Sequence, residues 1–338
     1  MKVAIVMTVK NEARLLKQNV CYHLGIGATK VFVYFDNTTD NGPQVIKDIK
    51  GVEISNSVEA ETYSHISALE KFWSNAEQHH TARQCLNTFD ALQKCKKEHI
   101  DWLISIDADE LFITSKDGRV SIEDFFSVAE TQNATIVNLK PLEVVSRKIA
   151  YNNVMQEETL FKTQKNFASR LDQIYNKLYD PYKKEYKKIS YWLGHTMGKS
   201  AIKVNSTVIP YNVHRYISYN DEELKAITSG NVLHYHVYDY EDFKKKYKNF
   251  ENHPDHFLSG NKIEDLKSLL ITLVNDKNNS DAFLKNYFKD NFLYHPQKLK
   301  KLYKTRLFNI LKRKESAVVE IDYPKEVLRE KVWSDASF

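Results

Sequence analysis

The chain is short of cysteine, of long apolar runs and of linker composition, and each shortage narrows what it can be. Only three cysteines occur in 338 residues. Cys85 and Cys95 stand ten positions apart in what reads as one helix, about 15 Å along its axis, which is too far to bridge. An odd count without a framework spacing fits a reducing compartment. No stretch reaches the roughly 18 consecutive apolar residues of a membrane span. The opening MKVAIVMTVKNEARLL turns polar too soon for a secretory signal and offers no small-residue cleavage site. These absences lead us to expect a cytoplasmic protein that touches a membrane, at most, from its inner face. There is also no internal repeat and no Gly/Ser-rich linker.

What is present is the composition of a folded protein, 42% hydrophobic and 28% charged, long enough for one large domain or a domain with an appendage. The net charge is +5, yet KLKKLYKTRLFNILKRK (298–314) alone holds eight cations and no acid. The rest of the chain is therefore slightly acidic, and no nucleic-acid footprint is expected. That stretch interleaves Leu299, Leu302, Tyr303, Leu307, Ile310 and Leu311 with its cations. Such a basic amphipathic helix can lie on an anionic membrane surface, or pack on its own domain with a solvated lysine face.

Along the chain, strand and helix patterns alternate. VAIVMTV (3–9) reads as a strand, and Leu16, Val20 and Leu24 then recur at helical spacing before Gly25 and Gly27. A second strand over 31–35 runs into the turn-rich DNTTDNGP, followed by a brief helix near Val45–Ile49 and a strand near 52–58. Ala82, Cys85, Leu86, Phe89 and Leu92 form one face of a helix over 76–98 that leads into WLISIDADELFI (102–113). This alternation predicts a parallel, doubly wound sheet. Ligands bind such sheets outside the carboxyl ends of their strands, where Thr8 to Glu12, Asp36 to Asp40 and Asp107 to Glu110 fall. Further strands are expected in ATIVNLKPLEVV and KSAIKVNSTVIP, joined by the aromatic, lysine-rich YNKLYDPYKKEYKK, and helices from about 240 onward.

Three carboxylates at the mouth of an apolar strand call for a positive partner. On extended backbone, residues two apart share a face, so Asp107 and Asp109 can converge while Glu110 points elsewhere. Two hard oxygen donors suit Mg²⁺ or Mn²⁺, with phosphates and water completing the shell. A polar turn ending a strand is the plainer alternative. Lys199, in MGKS, can face phosphates as a point charge or simply be solvated.

VMTVKNEARLL, YFDNTTDNG and WLISIDADELF, in this order and spacing, resemble the nucleotide-sugar-binding half of GT-A fold glycosyltransferases, specifically the family 2-like group with an Asp-x-Asp-Glu metal motif. The match is good over the first third and thinner to about residue 250. The resemblance implies a Rossmann-like, mostly parallel sheet flanked by helices over 1–240, with a helical, Lys-rich region over 241–338. It also implies a metal-dependent transferase that moves a sugar from a nucleotide-sugar donor, a UDP-sugar foremost, to a glycan or lipid-linked acceptor in surface polysaccharide or lipopolysaccharide synthesis.

Position by position, Thr8, Asn11 and Glu12 match the loop that lies against the nucleoside, though helix capping explains Asn11 and Glu12 as well. Asp36 matches the acid that contacts base or ribose, and an acceptor carboxylate suits that role. Gln84 falls where an amide or basic residue faces the nucleotide, with Arg83 and Asn87 as neighbours. Asp107 and Asp109 match the Asp-x-Asp that holds Mn²⁺ or Mg²⁺ against the departing diphosphate. A histidine often joins such a site. The strand, loop and His pattern GKSAIKV…PYNVH favours His214, with His234 and His236 of LHYH as runners-up and His195 also in range. Inversion further calls for a carboxylate base, for which Glu158 is the candidate and Asp172 and Glu143 its rivals.

Two other functions compete. A sugar nucleotidyltransferase would want a Gly-rich phosphate loop after the first strand, and TVKNEARLL has no glycine. A non-catalytic scaffold binding membrane or nucleic acid through the basic helix would leave the acidic motif without a purpose.

Overall fold

The computed structural model describes residues 1–163, 197–220, 222–251, 265–297 and 318–334, with scattered positions between 254 and 263 and at 299. Asp172, His195, the connection over 175–188 and nearly all of the basic stretch 298–314 lie outside the described residues. The chain forms two compact units, 1–141 with 197–234 and 322–338, and 142–196 with 235–321. The sequence-based boundary at 240 falls inside the second unit, which also takes in 142–196. The units themselves are discontinuous in sequence, because segments after 196 and after 321 return to the first.

The first unit carries the α/β sheet. Strands β1 (Val3–Val9), β2 (Lys30–Phe35), β3 (Val52–Asn56) and β4 (Trp102–Ser105) pair in parallel in the order β3-β2-β1-β4. β5 (Glu110–Ile113), β6 (Ile136–Val144), β7 (Leu160–Lys162), β8 (Ser200–Lys203), β9 (Val208–Asn212), β10 (Arg215–Ser218), β11 (Ala226–His234) and β12 (Val318–Glu320) follow. Beyond β4 the sheet turns antiparallel, through β8 to the start of β6. β11 pairs antiparallel with β5, which sets Glu110 opposite His234.

Of the parallel strands, β1, β2 and β4 are nearly apolar because both of their faces are covered, while the edge strand β3 is partly exposed. Val3, Ile5, Met7 and Val9 of β1, with Val31, Val33 and Phe35 of β2 and Trp102 and Ile104 of β4, pack against Leu16 and Val20 of the helix Ala13–Gly25. The same layer takes Phe125, Phe126 and Ala129 of the helix Ile122–Thr131, whose Phe126 stacks on Trp102. The intervening residues Ala4, Val6, Phe32, Tyr34 and Leu103 face Ala91, Leu92 and Cys95 of the helix His80–Lys97. The two-residue alternation of the strands thus builds one core on each side.

In the second unit, β7 pairs with the end of β6 and with β12, both antiparallel. The helices Tyr240–Lys248, Asp265–Asn275 and Asp281–Asn291 share a core that includes Phe243, Leu270, Leu273 and Phe288. No helix among the described residues is long and apolar enough to cross a membrane.

Candidate functional site

Between β4 and β5 the chain makes one tight turn. The Glu110 amide donates to the Asp107 carbonyl (3.0 Å), and the Asp107 amide donates back to Glu110 Oε2 (2.8 Å). Glu110, 4% exposed, therefore closes the turn that carries Asp107 and Asp109.

The positive partner of this acidic turn is first of all a lysine. Lys199 Nζ lies 2.8 Å from Asp107 Oδ2 and 3.6 Å from Glu110 Oε2, with 1% of its side chain exposed. Burial works against its charge, but the facing Asp107 and Glu110 carboxylates hold its pKa above the ordinary value. Burial likewise pushes the Asp107 carboxyl up and Lys199 reverses this, leaving it below the usual range. Glu110 has no such relief: burial prevails over Lys199 and raises it to about 7. Lys199 is delivered by Gly198, where a Cβ would fall 1.7 Å from the Leu139 carbonyl oxygen. The Leu139 amide in turn donates to the Lys199 carbonyl (2.8 Å). Only glycine fits that close approach.

Gln84 donates from Nε2 to Asp107 Oδ1 (2.6 Å), so both Asp107 oxygens have partners from this chain. Asp109 is turned elsewhere: its Oδ2 lies 3.4 Å from His234 Nε2. A carboxylate and an imidazole at that separation fit adjacent positions around one Mn²⁺, whose ligands at about 2.1 Å would stand about 3 Å apart. Among the described residues of the first unit, Asp109 and His234 bring their ligand atoms within reach of one ion. His236 follows two residues later, in the second unit.

His214 sits at the β9–β10 turn on the other flank, where Lys199 and Asp107 act on it electrostatically. Burial and the Lys199 cation push its pKa down to about 4, so the imidazole is neutral at neutral pH. Its Nδ1 lies 3.1 Å from the Gly198 carbonyl, which places the proton on Nδ1 and leaves the Nε2 lone pair. The sequence favoured His214 over His234 as the metal histidine, whereas the residue facing Asp109 is His234.

The nucleoside-side candidates lie at the carboxyl ends of β1 and β2 and are tied to one another. Asn11, at φ 57°, accepts at Oδ1 from the amides of Thr39 (2.7 Å) and Asp40 (3.2 Å). Asp40 caps the Ala13 amide (2.8 Å), the service expected of Asn11 or Glu12; Glu12 occupies the N-cap position without a side-chain capping bond. Asp36, 3% exposed, receives a fork from Arg83, Nε to Oδ1 at 2.6 Å and a terminal nitrogen to Oδ2 at 2.9 Å. Arg83 also donates to the carbonyls of Ala76 and Glu77. Thr8 Oγ1 accepts from Asn87 Nδ2 (2.9 Å), while Asn87 Oδ1 accepts from the Val58 amide (2.8 Å). Arg83, Gln84 and Asn87, adjacent on one helix face, thus reach three strand ends.

Glu158 lies in the second unit and is 2% exposed. Arg147 grips both its oxygens (2.9 and 3.1 Å), the Tyr151 hydroxyl donates to Oε2 (2.6 Å), and the amides of Thr159 and Leu160 donate to Oε1 (3.0 Å each). Such a cage anchors the carboxylate in place within the second unit. Glu143 is similarly engaged by Lys162 Nζ at 2.8 Å.

Sequence reading missed Asn19 and His23, both 0% exposed in a helix read only for its leucines and valines. Its one available signal was a pair of polar residues at i and i+4 on the apolar face.

The sequence matches the family described as Glycosyltransferase family 92 over residues 4–270. A glycosyltransferase-like protein of Arabidopsis thaliana is 24% identical over 228 residues, 64% of this chain and 49% of that protein. The chain thus spans about half the length of the curated relative it matches. Among solved structures, S. aureus TarS (residues 1–349) aligns with 91% of this chain and 77% of its own at 12% identity and a TM-score of 0.34. The glucosyl-3-phosphoglycerate synthase of Mycobacterium tuberculosis, solved with Mn²⁺, UDP and glucosyl-3-phosphoglycerate, aligns with 60% of this chain and 57% of its own at 9% identity and 0.27. Both scores are too low for these likenesses to bear on function.

Proposed function

Since the chain belongs to glycosyltransferase family 92, we propose that it transfers a glycosyl group from a nucleoside diphosphate sugar to an acceptor hydroxyl, using a divalent ion held by Asp109 and His234. The observation that carries this reading is the 3.4 Å approach of Asp109 Oδ2 to His234 Nε2 beside the Lys199-bound Asp107. Mn²⁺ is the favoured ion, with Mg²⁺ as the alternative, given one imidazole and one carboxylate.

When bound, the ion neutralises charge that develops on the departing diphosphate. The chain's own residues do the rest. Lys199 keeps Asp107 ionised and in place, and Gln84 fixes that carboxylate's rotation. Asp36, oriented by Arg83, retains lone pairs for a base or ribose donor, and the Asn11 clamp holds the two strand-end loops at a fixed spacing around the nucleoside. UDP is the proposed carrier and a glycan or lipid-linked hydroxyl the proposed acceptor, with inversion and a role in surface polysaccharide or lipopolysaccharide synthesis following from the sequence resemblance. The cytoplasmic face is the proposed location.

The test is donor hydrolysis and transfer across a panel of nucleotide sugars with Mn²⁺, with Mg²⁺ and with chelator. Turnover of a single nucleotide class that chelator abolishes and Mn²⁺ restores supports the reading. Turnover indifferent to chelator would remove the metal from it.

A further inference from the structure

Helix interiors disfavour asparagine by about 0.5 kcal/mol relative to alanine, and a fully buried amide is tolerated only if its hydrogen bonds are made. Asn19, in the middle of the helix Ala13–Gly25, meets that condition in a particular way. Its Nδ2 donates to two backbone carbonyls, Ala108 at 2.9 Å and Glu110 at 2.7 Å. Those carbonyls bracket Asp109. The Asn19 Oδ1 and carbonyl oxygen both lie 2.9 Å from His23 Nδ1. His23 Nε2 lies 3.1 Å from the Phe112 amide, which can only donate. The Phe112 N–H therefore fixes Nε2 as the acceptor and puts the His23 proton on Nδ1, aimed at Asn19. Each group has its orientation dictated by the next, from the β5 backbone through His23 to Asn19 and back to the acidic turn.

We infer that Asn19, oriented by His23, is a positioning residue for Asp109: its amide holds the Asp107–Glu110 turn so that the Asp109 carboxylate meets His234 at ligand spacing. The inference rests on the metal reading above. Glu110 closes the turn from within through its bonds with Asp107, and Asn19 anchors it from outside at the Ala108 and Glu110 carbonyls. Two donors from one buried amide on a rigid helix fix the peptide groups beginning at Ala108 and at Glu110 together. Partners of this kind, one step removed from the metal, commonly change affinity 10- to 100-fold when lost.

Tyr22 supplies an internal control. It projects from the same helix to the same strand, donating to the Phe112 carbonyl at 2.9 Å, and its bond does not reach the Asp107–Glu110 turn. The experiment measures Mn²⁺ binding directly, by titration calorimetry and by the electron paramagnetic resonance signal of the free ion. The unaltered protein, Asn19→Ser, His23→Gln and Tyr22→Phe are compared, with melting temperature recorded for each. We expect Asn19→Ser to lose at least tenfold in Mn²⁺ affinity, His23→Gln to lose less, and Tyr22→Phe to keep its affinity at a comparable loss of melting temperature. Should Asn19→Ser fail to fold, His23→Gln carries the comparison with Tyr22→Phe alone. Unchanged affinity in a folded Asn19 or His23 variant, or an equal loss in Tyr22→Phe, overturns the inference while leaving the metal reading intact. Absence of Mn²⁺ binding by the unaltered protein overturns both.

Discussion

Lys199 and Asp107, 92 positions apart in sequence, form an ion pair of 2.8 Å in which the lysine side chain is 1% exposed. An acidic turn that reads from sequence as a metal site is thus already partly neutralised by the protein, and the two aspartates divide the work. Asp107 is held by Lys199 and Gln84, and Asp109 by His234.

Removing the cation strands two carboxylates. Lys199→Met is expected to destabilise the fold by about 3 to 5 kcal/mol, the range for breaking a buried pair. The lower end is favoured because the Asp107 side chain is 39% exposed. Denaturant unfolding measures this, and a loss under about 0.5 kcal/mol would make the pair incidental.

Glu110 supplies a pH dependence. Its folded pKa of about 7 exceeds the ordinary carboxyl value of 4.5. Between those values the folded state holds the proton more tightly than the unfolded one, so stability from this group falls as pH rises. Without metal, the stability of Glu110→Gln relative to the unaltered protein should therefore improve steadily from about pH 4.5 to 7 and level off above. Chemical denaturation in chelator at several pH values checks the slope; a flat difference contradicts it.

For Asp36, the Arg83 fork predicts a split effect. Arg83→Lys removes one of the two parallel bonds, and lysine does not reproduce a guanidinium fork. The donor dissociation constant should rise roughly tenfold, given the 1.5 to 3 kcal/mol scale of charge-assisted bonds, while kcat stays within a few-fold. An effect confined to kcat would place Asp36 in the chemistry.

Glu158 is where the sequence candidate and its surroundings pull apart. Glu158→Gln should lower the melting temperature, since Arg147 and two amides lose an anionic acceptor, and leave kcat per folded molecule within about tenfold. A general base would lose about 10² to 10⁴, and a drop of that size would restore Glu158 to the role its sequence position suggested.

Much of the first unit was legible because strand and helix periodicity is local. β1, β2 and β4 and the helix His80–Lys97 stand where the spacing of Val, Ile and Leu put them, but Asp107 shares Lys199 with Glu110 rather than converging with Asp109. The antiparallel return of β8 and β11 was not legible, since strand order is set by contacts between residues about a hundred positions apart. For the same reason the sequence left Lys199 to phosphates or to solvent rather than to Asp107, and His214 looked better placed than His234. A charge on a strand end says what partner it needs and nothing about which distant residue the sheet will bring. Asn19 escaped notice because its two acceptors are backbone carbonyls, which leave no trace in the identity of residues 108 and 110.

The account turns on the Asp109–His234 pair, and the most direct test is thermal unfolding against nucleoside diphosphates with and without Mn²⁺ in the unaltered protein, Asp109→Ala and His234→Gln. A ligand that binds only the folded state raises its stability by RT ln(1 + [L]/Kd), about 2.7 kcal/mol at a hundredfold excess over Kd. The prediction is a rise with UDP that requires Mn²⁺ and is lost in both variants. A rise with UDP that is indifferent to Mn²⁺, or that survives in both variants, would contradict it.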